Sequence, residues 1–361
     1  MADTNIGTSL YAFEPTHIAP AIFAAIIGTS LLVHIFQSFY YRFWRVTFWM
    51  FWGGTVFTAG WIMRTLSSYD PDNKNLYIAQ TCLVIGGPPI YAAAEYNIMG
   101  RLMNYLPMHA IFHPGRVVIV FIYLGALVEA LTAAGAAKMA VSKGENISEY
   151  ILGGKLISIS LILQAVVECV FISFIALMHH RASRARMLSP NVRALCIMLY
   201  GTSTLVLLRC IFRAIDSFAT HTAIDAEQCG SLCRLITNQE WYIYVFEATP
   251  MAIYTIWLNV MHPGKYLPRD KFQYLDLDGK TERVGPGWTD HRSQWQTFAD
   301  PFDIANTIKG TPAHEKFWLQ AETWPMATGG SFAQGTASNA TRSLSGKKYR
   351  NISMKPEGGM A

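Results

Sequence analysis

The stretch LVLLRCIFRAID, Leu205 to Asp216, sets Arg209, Arg213 and Asp216 within an apolar run. Their spacing is i, i+4, i+7, which on a helix is a single face. Farther on, EWYIYVFEATPM puts Glu240, Tyr244, Glu247 and Met251 on one face of another helix. Two arginines opposite two glutamates, in surroundings this apolar, can serve two kinds of chemistry. They can pair as a clamp between helices, or they can line a polar pocket that recognises a head group. An ionisable side chain at bilayer depth costs about 2.5–3.5 kcal/mol on insertion scales, so such groups face a bundle interior and find partners. Matching depth along neighbouring antiparallel helices gives Arg213–Glu240 and Arg209–Glu247 as the expected pairs. Desolvation offsets much of a buried pair's attraction, so pairing alone does not decide between clamp and pocket.

Other polar residues fall at related depths. Arg64, Gln80 and Lys155 belong near the level of the arginines, whereas Glu129, Gln164 and Glu168 lie nearer mid-membrane. Glu95 and Arg101 lie toward the opposite end. Together they describe a polar interior suited to a ligand with a polar head and an apolar tail. Enzymatic signatures are missing: the sequence has neither a phosphate-binding Walker loop nor a Gly-x-Ser-x-Gly elbow. His109 and His113 stand four apart, but Pro114 follows and no third ligand is adjacent. The expectation is a protein that is not an enzyme, with no cofactor and no metal.

The elements that must hold these residues are read from hydropathy. Of the 361 residues, 52% are hydrophobic and only 15% charged, against about 25% charged in a soluble domain. Runs of about 18 or more apolar residues suffice to span a bilayer. Seven segments qualify, at Ile18–Tyr40, Phe43–Leu66, Leu76–Met99, Val117–Ala140, Ile151–His179, Leu195–Asp216 and Glu240–Met261. The fold class expected is all-α, a polytopic membrane protein with seven transmembrane helices. Its domains would be an extracellular N-terminus (1–17), the helical domain (18–264) and a flexible cytosolic tail (265–361). In SLYAFEPTHIAP no basic start precedes an apolar run, so the first span is expected to direct insertion itself. Pro88 and Pro89 interrupt the third span and imply a kink.

The net charge of +5 reads as topology rather than nucleic-acid binding. Arg42 and Arg45, Arg101 and Arg116, Arg181 to Arg193, and Lys265 to Lys271 all fall in alternate loops. Positive loops stay in the cytosol, which puts the N-terminus outside and the C-terminus inside. Asn146-Ile147-Ser148 is then a glycosylation acceptor on the outer side. Cys229 and Cys233 share an outer loop and could form a disulfide. The plasma membrane is the expected location.

The span-six and span-seven residues closely resemble the closing signature of the fungal lipid-translocating exporter family, the RTA-like proteins. Arg209, Phe212, Arg213, Asp216, Glu240, Tyr244, Phe246, Glu247, His262, Pro263 and Gly264 carry the pattern. Pro88, Ala92, Ala93, Tyr96, Gly100 and Arg101 match on span three, Gly60, Trp61 and Arg64 on span two, and Gln164 on span five. The resemblance runs from about Pro15 to Leu267. It departs at Phe57, where the family carries an acid, and around Gly125, Glu129 and Thr132 on span four. Asp216 and Glu247 stand where Glu and Asp are usual. The resemblance implies seven-helix proteins of fungal membranes linked to resistance to toxic lipids and sterol-like compounds, to release of sphingoid bases, and in some members to porphyrin transport.

The ligand site expected is therefore Arg64, Gln80, Glu129, Gln164, Arg209, Arg213, Asp216, Glu240, Tyr244 and Glu247. Its partners would be membrane lipids or an amphipathic small molecule. A lipid translocase is the leading expectation. A seven-helix lipid sensor or regulator of membrane asymmetry, acting through its tail without transport, is the alternative.

Overall fold

The computed structural model describes residues 11, 13–142, 146–225, 239–289, 292–309 and 315–327. Helix dominates them. The long helices are α1 (Ile18–Tyr41), α2 (Trp44–Tyr69), α3 (Lys74–Tyr105), α4 (Pro114–Ser142), α5 (Ile147–Arg184) and α6 (Pro190–Asp225). The composite α7 begins as α-helix at Trp241–Ile243, widens to a π-helix at Tyr244–Ala248, and continues as α-helix through Thr249–Val260. Sequential helices pack as neighbours, and α7 closes the bundle against α1 and α6.

Among the described residues, five helices are long and apolar enough to cross a membrane: α1, α3, α4, α5 and α6. The helices α2 and α7 do not reach that standard on their own. The first is long enough, since 26 residues span about 39 Å at about 1.5 Å per residue. However, Arg45, Arg64 and its polar and glycine positions lower its hydropathy, and several of them face inward: Thr47, Gly53, Gly54, Gly60 and Arg64 are buried. The second is divided by its π turn, and its longest regular piece has 12 residues.

Packing follows from side-chain size. A Cβ on Gly135 would lie 2.7 Å from the carbonyl oxygen of Gly153, and one on Gly153 would lie 2.7 Å from that of Gly135. Helices α4 and α5 therefore meet backbone to backbone, as small residues permit in membranes. Thr132 and Ser160 share a hydrogen bond of 2.9 Å across the same seam. Rings fill the bundle centre, with Phe57, Trp61, Phe121, Phe171 and Tyr254 all buried.

The polar segment after α7 reads as a tail, and some of its described residues form regular structure packed against the bundle. Strands β1 (Gln273–Leu275) and β2 (Glu282–Val284) form an antiparallel hairpin, pairing Tyr274 with Arg283. Tyr274, Phe317 and Trp318 bury one another beneath it. The hairpin is tied to α3, because Tyr105 Oη donates to Glu282 Oε1 at 2.9 Å. Arg101 Nη2 donates to the Pro268 carbonyl at 2.6 Å. Average polarity over the whole segment concealed these few aromatic residues.

Candidate functional site

The polar side chains of the bundle sort into separate groups, set at different depths along α7. The first gathers where α2 ends and α3 and α7 begin. Arg64 Nη2 donates to Glu240 Oε1 at 3.0 Å, with both side chains buried. Arg64 Nη1 reaches Gln80 Oε1 at 3.4 Å. Tyr244 Oη donates to the same Glu240 oxygen at 2.7 Å. The second oxygen, Oε2, accepts from both the backbone N–H and the hydroxyl of Thr16, each at 2.9 Å. Above the guanidinium, the rings of Tyr11 and Tyr244 stand 5.9 and 5.8 Å from it. Burial raises the Tyr11 phenol above its ordinary value, which keeps it a neutral donor to Ser67 Oγ at 2.7 Å.

The second group lies two turns deeper on α7, about 10 Å along the axis. Arg209 Nε donates to Glu247 Oε1 at 2.6 Å, and both side chains are 1% exposed. Arg213 spans two acids: its Nη1 bonds Asp216 Oδ2 at 2.8 Å, and its Nε stands 3.5 Å from Glu247 Oε2. Two backbone irregularities position this group. Pro89 lacks the N–H that would bond the Ile85 carbonyl in α3, and Arg209 Nη2 takes that carbonyl at 3.3 Å. On α7 the π turn carries Glu247 itself, in the setting where π-bulges commonly serve function. Thr249 Oγ1 closes the turn by donating to the Tyr244 carbonyl at 2.8 Å. Phe212 and Phe246 stack between α6 and α7 with centroids 4.4 Å apart.

This second group keeps unused valences. Arg209 Nη1 and Glu129 Oε2 are buried and make no hydrogen bond among the described residues. Glu129 is brought in from α4 by Gly86, where a Cβ would lie 2.7 Å from Glu129 Oε1. Beside the group is a cavity of about 140 Å³ whose lining includes Tyr77, Thr81, Tyr150, Arg213, Asp216 and Ser217. On the outer face of the α5–α6 pair runs an apolar groove of about 890 Å³, walled by residues such as Leu161, Val166, Leu207 and Phe218. A seam of small polar contacts separates the two. Ser158 and Ser217 share a hydrogen bond of 2.8 Å, and Ser217 Oγ donates to the Gly154 carbonyl at 3.1 Å.

The ten residues singled out from sequence thus divide. Arg64, Gln80, Glu240 and Tyr244 form the first group, and Glu129, Arg209, Arg213, Asp216 and Glu247 the second. Gln164 joins neither and lies buried beside Glu168 on α5. The expected Arg209–Glu247 pair is present. The expected Arg213–Glu240 pair is not, because α2 brings Arg64 to Glu240 and Arg213 turns to Asp216 and Glu247. Sequence reasoning missed Tyr11, Thr16 and the Ile85 carbonyl; only Pro89, four residues after Ile85, signalled the last. Asn146 is exposed and caps α5, its Oδ1 accepting from Glu149 N at 3.4 Å. Cys229 and Cys233 lie outside the described residues.

Comparison with known proteins fits this arrangement. Residues 50–270 match the model of the family described as RTA1 like protein. The chain is 32% identical over 298 residues to the lipid-translocating exporter-like protein RTA1 of Leptosphaeria maculans, covering 79% of this chain and 57% of that one. It is 30% identical over 265 residues to the protein of the same name in Ajellomyces capsulatus, covering 70% of this chain and 80% of that one. The protoporphyrin uptake protein 1 of Saccharomyces cerevisiae is 24% identical over 72% of this chain and 94% of its own length. The chain therefore spans little more than half of the first of these relatives. No solved structure matches. With several membrane-crossing helices and a family match that encloses both charged groups, the chain is a multi-pass membrane protein that belongs to the RTA1-like family.

Proposed function

We propose that this protein moves an amphipathic lipid across the bilayer, with the head group in the Arg213–Asp216 cavity and the hydrocarbon tail in the α5–α6 groove. The observation that carries this reading is the adjacency of the two spaces, one presenting Arg213 and Asp216 and the other walled by hydrocarbon, across a seam of serines. In the cavity a head bearing an amine finds Asp216, and one bearing a phosphate or hydroxyl finds Arg213; Glu247 lies one contact behind, at 3.5 Å from Arg213 Nε. A sphingoid base supplies amine and hydroxyls together. Opening the Ser158–Ser217 contact would let the head leave sideways while the tail stays in lipid. Relatives named as lipid-translocating or lipid-transporting support the same role.

In this reading α2 and α7 complete seven spans, the N-terminus is outside and the C-terminus cytosolic, and the plasma membrane is the site of action. The cavity then opens outward, at the end where Asn146 would be glycosylated and a Cys229–Cys233 disulfide would form. The proposed chemistry needs no cofactor and breaks no covalent bond.

The test is translocation of an NBD-labelled sphingoid base in phosphatidylcholine vesicles holding purified protein. Wild type should move the probe, while Arg213→Ala and Glu247→Gln at equal reconstitution should move it at least about tenfold more slowly. Equal rates in protein-free and protein-bearing vesicles would reject translocation. One observation favours a second reading, a lipid sensor: the folded segment after α7 is bonded directly to α3 through Tyr105 and Arg101. Probe binding without translocation would select it.

A further inference from the structure

Deeper than both charged groups lies a third, built from acids with no cation bonded to them among the described residues. Glu95 on α3 and Glu168 on α5 are both completely buried. Only hydroxyls bond them: Ser203 Oγ donates to Glu95 Oε2 at 2.6 Å, and Tyr96 Oη donates to Glu168 Oε1 at 3.2 Å. The remaining oxygens, Glu95 Oε1 and Glu168 Oε2, have no hydrogen-bond partner among the described residues. The two carboxyls also act on each other electrostatically. A separate observation points at the same spot. Gln164, one turn from Glu168 on the same face of α5, is 4% exposed and its Nε2 is likewise without a partner.

Two neighbouring carboxylates without a cation cannot both carry charge in an apolar interior, where an isolated ion costs many kcal/mol. A proton is the ligand this chemistry admits. It adds to one carboxylate oxygen and removes one of the two charges. From this geometry we infer that Glu95 and Glu168 form a proton-binding site that couples proton movement to the translocation proposed above.

The surroundings connect this site with the cavity. Around the pair stand Tyr96 from α3, Cys210 from α6 and Tyr254 from α7, and the Phe121 ring of α4 packs on Tyr96 with centroids 5.0 Å apart. Cys210 follows Arg209 in the chain and lies within electrostatic reach of Arg209, Glu168 and Glu247 together. Cys210 thus stands between Glu168 and the Arg209–Glu247 ion pair. The coupling rests on the translocation reading; the proton site does not.

Two measurements separate them. Difference infrared spectroscopy on the full chain in vesicles reads the carbonyl band of a protonated carboxyl without any transport. Wild type should show a band whose intensity changes with pH, and the band should vanish in Glu95→Gln/Glu168→Gln. A band that never titrates, or that survives in the double variant, overturns the site. Vesicles with a trapped pH dye then test coupling. An inward or outward step of about one pH unit should shift the steady distribution of the NBD-labelled sphingoid base up to about tenfold in wild type, with matching dye response to the probe. A wild type that moves the probe at a rate and to an extent indifferent to the gradient overturns the coupling. Should the double variant misfold, a wild-type band that never titrates still overturns the site, and an absent gradient response still overturns the coupling.

Discussion

The Arg64–Glu240 group and the Arg209–Arg213–Glu247 group use the same residue types, yet they are finished differently. Around Glu240 both carboxylate oxygens are taken, by Arg64, Tyr244 and Thr16. Around Glu247 one oxygen is held only by a contact of 3.5 Å, Arg209 keeps an unbonded Nη1, and a cavity adjoins. The lesson concerns what burial of charge is for. A pair whose carboxylate is saturated offers a ligand no acceptor, although Arg64 Nε is unbonded, and it acts as a clamp joining α2, α3, α7 and the approach to α1. An unsaturated pair beside a cavity has valences to lend. Clamp and pocket, alternatives when read from sequence, coexist about 10 Å apart.

The largest expected effect tests the clamp. Arg64→Ala leaves Glu240 buried without its cation, and removing one partner of a buried pair costs about 3–5 kcal/mol. Thermal unfolding in detergent should show the loss, with less folded protein recovered. A variant that unfolds like wild type but fails to move the lipid probe would exchange the roles of the two groups.

Next in size is an effect that must be subtracted before any acid sensitivity is assigned to either group. His262, just beyond α7, has its pKa lowered to about 3 by burial, with His34 and Lys265 adding to the effect. The folded chain therefore binds no proton at His262 while the unfolded chain does below about pH 6.5. The unfolded state gains protons first, so stability falls as pH drops below about 6.5 and keeps falling toward 3. By pH 5 the loss is about 2 kcal/mol. His262→Asn should flatten that part of the stability profile measured by chemical unfolding. An unchanged slope would show that His262 does not carry the acid sensitivity.

Arg213→Ala is the counterpart in the pocket. Arg213 is less deeply buried than Arg209, and Glu247 keeps its bond to Arg209 when Arg213 is removed. The midpoint of unfolding should move little while probe translocation drops about tenfold, or about 1.4 kcal/mol in the barrier. A fall in stability as large as that of Arg64→Ala, with translocation per folded molecule intact, would make this group a second clamp.

How much of this could be read beforehand follows from the range of the interactions. The helices of α1, α3, α4, α5 and α6 are legible because hydropathy is a local sum. The Arg209–Glu247 pair is legible because α6 and α7 are consecutive and their depths match. Glu240 was misassigned to Arg213 because its true partner sits on α2, five helices earlier, and chain order does not say that α2 meets α7. The Ile85–Arg209 bond requires knowing that the carbonyl freed by Pro89 faces α6. The hairpin beyond α7 depends on Tyr274, Phe317 and Trp318 meeting across some forty residues, a contact no window average detects.

The smallest expected effect sharpens the comparison most cleanly. Thr16 lies outside the helices and reaches Glu240 Oε2 with two donors, its N–H and its hydroxyl. Thr16→Val keeps shape and N–H and removes the hydroxyl alone. A net hydrogen bond is worth about 0.5–1.5 kcal/mol, with more for a charged acceptor and less where water competes. Thr16 is exposed, so water can replace the lost donor, and a loss of about 0.5–1 kcal/mol is expected. Translocation should be untouched, since a clamp responds to strength and not to the identity of its last bond. A variant of unaltered stability that moves the probe more slowly would mean that the residues above Glu240 guard an entrance, and the saturated group would then be a closed gate.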